Sequence, residues 1–196
     1  MSPILESIGG ARAFGFGAAA LPIILSSSFE SIATAAVGPG GSSQIEFTSI
    51  PQTFTHLQLR YMSRDARTNS YDSPVDMRFN GNSSSSYGKH TLQGDGSSVI
   101  APSEINQTYI RLEGGGNSTL SDAFGAGVLD ILEYTSTNKN KTIKQITGVE
   151  KNGSGFFRLT SGFWANTSAI TSITLTPFSS PFAQYSHFAL YGIKES

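Results

Sequence analysis

Apolar and polar residues alternate with period two along several segments, the period of β-strands rather than of helices. In Thr55-His56-Leu57-Gln58-Leu59-Arg60-Tyr61 the alternation sets Leu57, Leu59 and Tyr61 on one face and His56, Gln58 and Arg60 on the other. Val75-Asp76-Met77-Arg78-Phe79 repeats it, and Ile173 and Leu175 alternate with Ser172, Thr174 and Thr176. The last segment, Phe188-Ala189-Leu190-Tyr191-Gly192-Ile193, is apolar on both faces, which predicts a strand inside a sheet. Asp122–Tyr134 comes nearest to a helical stripe, but Gly125 and Gly127 argue for a strand there. Turn chemistry falls between these runs: Asn80-Gly81, Asp95-Gly96 and Asn152-Gly153 can supply positive φ. The clearest hairpin joins a strand around Ile143–Val149 to one around Phe156–Leu159 through Asn152-Gly153. Glycine-, serine- and asparagine-rich loops are expected at 38–43, 82–86 and 114–118. About ten short strands at this spacing predict an all-β domain over 29–196, an antiparallel β-sandwich of jelly-roll type. No internal repeat suggests a propeller or solenoid.

Residues 1–28 break the pattern. They hold one arginine, one glutamate and no lysine among many small and apolar residues. A cleaved signal peptide is disfavoured, because Glu6 sits in the would-be basic region and glycines and Pro22 interrupt the apolar stretch. The run Ala13–Leu25 is also shorter than the roughly 20 residues that span a bilayer, so no membrane insertion is expected. What remains is an extended apolar tail whose Phe14-Gly15-Phe16-Gly17 alternation cannot close on itself. Two uses are open: packing on its own domain, or docking on another subunit. Ile4, Leu5, Phe14, Phe16, Leu21 and Ile23 are the candidate anchoring residues for the second use.

Composition narrows the classes of function. Charged residues are 14% of the 196 positions, while serine and threonine fill 47 of them. The polar surface is therefore mostly hydroxyl and amide. Hydrophobic residues at 38% supply a core, which argues against disorder. A net charge of −1 leaves no electrostatic footprint for nucleic acid. The absence of cysteine removes thiolate catalysis, disulfides and cysteine-ligated metals.

Candidate chemistry is sparse. His56, His90 and His187 share no metal-ligand spacing. His56 is expected as a solvated histidine on the polar face of its strand, and His187 as a structural one. No G-x-S-x-G elbow is present. Asp130 and Glu133 stand in an apolar strand, where one of them is expected as a buried, hydrogen-bonded carboxylate. Gly94-Asp95-Gly96-Ser97 lacks the alternating acids of a calcium loop, and Gly114-Gly115-Gly116-Asn117 lacks the lysine of a phosphate loop. Asn138-Lys139-Asn140-Lys141 is expected as a solvated hairpin tip. No cofactor and no metal site is expected. Carbohydrate stacking is the one binding chemistry left open, with Trp164 and the loop residue Tyr185 as candidates, against a reading of Trp164 as a core residue.

Three stretches resemble small structural proteins of tailed bacteriophages: SIPQTFTHLQLRYMSR at 49–64, LDILEYTSTNKNKTIKQITG at 129–148 and AITSITLTPFSSPFAQYSHFALYGIK at 169–194. The segment ILESIGGARAFGFGA at 4–18 is similar to the leader of such virion proteins. The resemblance implies a non-enzymatic virion component of the appendage, fibre or surface-decoration kind, located in the virion. Its partners would be other virion proteins, its state a homo-oligomer (a trimer by analogy), and its tail the anchor. The alternative is a carbohydrate-binding module or a receptor-binding tip that recognises a host-surface glycan. A polysaccharide-cleaving enzyme, the third possibility, needs two convergent carboxylates in a cleft.

Overall fold

The computed structural model describes residues 28–68, 72–117 and 122–194. These form thirteen strands and no helix: β1 Phe29–Ala36, β2 Ile45–Phe47, β3 His56–Thr68, β4 Asp72–Phe79, β5 Tyr87–Gly94, β6 Val99–Ile100, β7 Ser103–Gln107, β8 Ile110–Asn117, β9 Gly125–Leu132, β10 Lys141–Glu150, β11 Gly155–Trp164, β12 Ile173–Pro177 and β13 His187–Ile193. The chain is an antiparallel β-sandwich, as the alternation predicts.

The large sheet runs β1-β13-β3-β9-β10-β11-β5, with the short β6 and β7 both pairing with β5. The smaller sheet runs β2-β12-β4-β8. The two meet along the end of β3, which pairs in parallel with β8 at Arg64↔Gly115. The final strand lies between β1 and β3, in the interior position its two apolar faces predict. Asn80-Gly81 and Asn152-Gly153 take positive φ at all four residues, and the second pair closes the β10–β11 hairpin. The expected loop at 114–118 is instead mostly the end of β8, since β4 offers a ladder from Met77 to Asp72.

Each sheet contributes its alternate residues to one core. Leu57, Leu59 and Tyr61 of β3, Leu129 and Ile131 of β9, and Phe188 and Leu190 of β13 face Val75, Met77 and Phe79 of β4, Leu112 of β8 and Leu175 of β12. Gly127 is required by packing: a Cβ there would lie 2.5 Å from the ring of Tyr61. That ring crosses the interior, where its hydroxyl donates to the Glu113 carbonyl of the other sheet at 2.8 Å and accepts from Gln145 Nε2 at 2.7 Å. Burial pushes the phenol up to about 12, so it stays protonated and keeps donating. The hydrophobic cluster is drawn entirely from residues between Val37 and Leu190 among those described. Residues 1–27, which carry Ile4, Leu5, Phe14, Phe16, Leu21 and Ile23, lie outside the described residues.

Candidate functional site: the outer face of the large sheet

In an antiparallel ladder directly opposed residues share a face, so the pairings fix which side chains stand together on the surface. On the outer face of the large sheet one row reads Arg60–Val128–Ile146–Leu159–Leu92 across β3, β9, β10, β11 and β5. The next row reads Met62–Ala126–Gly148–Phe157–Gly94. Met62, Val128, Ile146, Leu159, Leu92 and Phe157 are all exposed, Phe157 at 56%. Single exposed apolar residues are ordinary, but these six lie on two adjoining rows over five strands and form one contiguous exposed apolar patch.

The relief of this face comes from its small residues. Ala126 and Gly148 leave a hollow of about 460 Å³ on one side of Phe157, floored by Gly127 and Thr147 and rimmed by Arg60 and Val128. A second hollow of about 690 Å³ runs from Phe157 towards Phe124, Phe156 and the turns at 94–96 and 153–155. Below the apolar rows stands a polar one, Gln58–Asp130–Lys144–Ser161–His90. Gln58 Nε2 donates to Asp130 there at 2.8 Å. Asp130 is thus half-buried on the outer surface and Glu133 is paired with Lys139 at 2.6 Å in solvent. Neither is the buried carboxylate expected from the sequence.

Among the described residues the deeply buried carboxylates are Asp65 and Glu113. Asp65 is held by Arg67 at 2.5 Å. Glu113 meets Arg158 Nη1 at 2.6 Å between the sheets, and Lys89 lies 3.4 Å from Glu104 beside it. These four residues line a small pocket of about 140 Å³ with Thr91, Thr160 and Arg111. Burial pushes the Glu113 carboxyl up from its ordinary value, with Arg158 and Lys89 pulling the other way. Each acid of this pocket is matched to a cation, Glu113 to Arg158 deep between the sheets and Glu104 to Lys89 at its exposed side.

The remaining sequence candidates are dispersed. Trp164 is 1% exposed, with its ring 5.5 Å from that of Phe79 and 6.0 Å from that of Tyr87. It is a core residue, which is the reading set against sugar stacking, and the alternative of a stacking Trp164 is corrected: alternation along β11 turns it inward with Thr160 and Gly162. Tyr185 is 70% exposed but precedes β13, at the opposite end of the strands from Trp164, so the two form no common site. His56 is not simply solvated: its Nδ1 accepts the Glu133 backbone N–H at 2.9 Å. His187 is exposed rather than held in the structure. In the cluster 138–141 Lys141 is fully buried, its ammonium donating to the carbonyls of Ser136, Lys139 and Thr167. Among the described residues no group of three or more His, Asp or Glu is placed to hold a metal ion.

The outer face left a trace in the sequence. Val128-Leu129-Asp130-Ile131-Leu132 and Phe156-Phe157-Arg158-Leu159 carry apolar residues in both phases, the pattern of a strand covered on both sides. Among the described residues only one side is covered. No family model, no curated protein and no solved structure matches the chain.

Proposed function

We propose that the protein is a non-catalytic structural subunit of a virus particle, which associates with neighbouring subunits through the outer face of its large sheet. The observation that carries the reading is the double apolar row from Met62 and Val128 to Phe157 and Leu92, a surface suited to protein contact. Particle membership, and a tailed bacteriophage as its source, rest on the resemblance of 49–64, 129–148 and 169–194 to phage structural proteins. The low content of charge and the cysteine-free chain fit a stable assembly module. A glycan-binding role retains only Tyr185 of its two named aromatics.

An epitope-tagged copy, expressed in the organism that carries the gene during particle production, tests this reading. The tag is expected to band with DNA-containing particles in a density gradient. A tag that remains wholly in the unassembled soluble fraction contradicts it.

A further inference from the structure

The inner faces of β5 and β11 change character along their length, and we infer that their polar end is a binding pocket for the vicinal diol of a pyranose sugar. The pairing register lays the change out. At one end Tyr87 stands opposite Trp164, both in the core. Further along, Lys89 stands opposite Gly162, Thr91 opposite Thr160, and Gln93 opposite Arg158. Alternation keeps these residues on the side of the sheet that carries the core. A sandwich interior ordinarily holds apolar side chains there, yet Lys89, Thr91 and Thr160 are buried and polar. Together with Glu113 of β8 they line a space of about 140 Å³, with the exposed Ile100 and the half-exposed Glu104 at its mouth.

Charge decides the class of ligand. Three cations line the pocket, and each already faces one acid. Lys89 lies 3.4 Å from Glu104, Arg158 2.6 Å from Glu113, and Arg111 3.0 Å from Asp76 behind it. These pairs leave no net charge for an ion to neutralise. What is left over is hydrogen-bonding capacity. Glu113 commits Oε1 to Arg158, while its Oε2 is buried without a partner. An acceptor buried in this way costs free energy that a ligand hydroxyl recovers. Thr91 and Thr160 share one hydrogen bond at 3.0 Å between two hydroxyls, so one proton of the pair is left to donate. Lys89 has three donors, of which the Arg111 carbonyl at 3.3 Å and Glu104 take two. A strong acceptor and two donors in one uncharged pocket match a pair of adjacent hydroxyls. One hydroxyl donates to Glu113 Oε2, and its neighbour accepts from Lys89 or from the threonine pair.

Size agrees with this chemistry. A cavity of about 150 Å³ holds a benzene ring. The pocket therefore takes one edge of a pyranose, two carbons and their hydroxyls, with the rest of the sugar projecting past Ile100 and Glu104. The site lies on the inner side of β5 and β11, whereas the apolar rows lie on the outer side, so a sugar and a neighbouring subunit do not compete for it.

Saturation-transfer NMR on the full chain tests this, with the methyl pyranosides of glucose, mannose and galactose as probes. Between them the three present trans and cis diols; acetate and methylammonium serve as charged controls. At least one glycoside is expected to bind saturably, and neither ion is. Thr91→Val/Thr160→Val removes both hydroxyls at nearly constant shape and leaves the three ion pairs in place. It is expected to weaken the sugar about 10-fold, the effect of losing a hydrogen bond or two. Thr160→Val alone takes its place should the double variant not fold. Absence of binding by all three glycosides leaves the pocket to ordered water and overturns the inference. Equal binding by wild type and variant, when both melt alike, places the sugar elsewhere and also overturns it. Saturable binding of acetate or methylammonium in place of the sugars overturns the assignment of an uncharged ligand.

Discussion

Trp164→Ala is expected to lower the unfolding free energy by about 3–5 kcal/mol, the range for removing the largest buried aromatic side chains. The indole sits where β11, β5 and β4 converge, packed against Tyr87 of the large sheet and Phe79 of the small one. Tyr87 in turn accepts the Phe79 backbone N–H at 3.1 Å and donates to the Asn82 carbonyl at 3.2 Å. The three rings therefore join the two layers, and the cavity left by alanine cannot close without shifting strands that are pinned by their ladders. Urea denaturation reads the effect as a lowered midpoint with an unchanged slope. A variant as stable as the wild type would remove Trp164 from the core and reopen its use as a stacking surface.

Arg158→Leu is expected to cost a similar amount at neutral pH, about 3–5 kcal/mol, because it leaves Glu113 as a buried charge without its partner. The pH dependence separates this cause from loss of packing. Burial already raises the folded Glu113 carboxyl above its unfolded value, and loss of Arg158 raises it further. The folded chain then binds this proton more tightly than the unfolded chain. The stability contributed by the protonated form is fully present below the ordinary glutamate value of 4.5 and is lost as pH rises through the folded value. The deficit of Arg158→Leu relative to wild type should shrink as pH falls from 7 towards 4.5. Lys89 supports the carboxylate and Asp72 opposes it, so neither reverses the sign. A deficit that is constant with pH would attribute the loss to the guanidinium stem and its contact with the Phe156 ring at 4.1 Å.

Much of the fold was legible because alternation is a local signal. Leu57, Leu59 and Tyr61, or Val75, Met77 and Phe79, declare a strand and its buried face without reference to the rest of the chain. Asn152-Gly153 likewise fixes a hairpin from two residues. The ionic junction was not legible, since Glu113 and Arg158 are 45 positions apart and meet only because β8 and β11 belong to facing sheets. Lys141 was missed for a related reason: three lysine- and asparagine-rich neighbours made it look solvated, while the carbonyls that bury it come partly from Thr167. The exposed apolar face was present as apolar residues in both phases of β9, β10 and β11. Sequence alone does not say which side of such a strand lacks a cover, and pairing register supplies that answer.

On the proposed reading the outer face of the large sheet is a contact surface between subunits. Sedimentation equilibrium of the full chain, compared with Leu159→Lys over a wide concentration range, tests it most directly. Leu159 is exposed in the middle of the row and makes no core contact, so lysine there should leave the fold intact. The wild type should reach a multiple of 20.8 kDa while Leu159→Lys stays at 20.8 kDa. Equal masses for the two proteins at every concentration would contradict the claim.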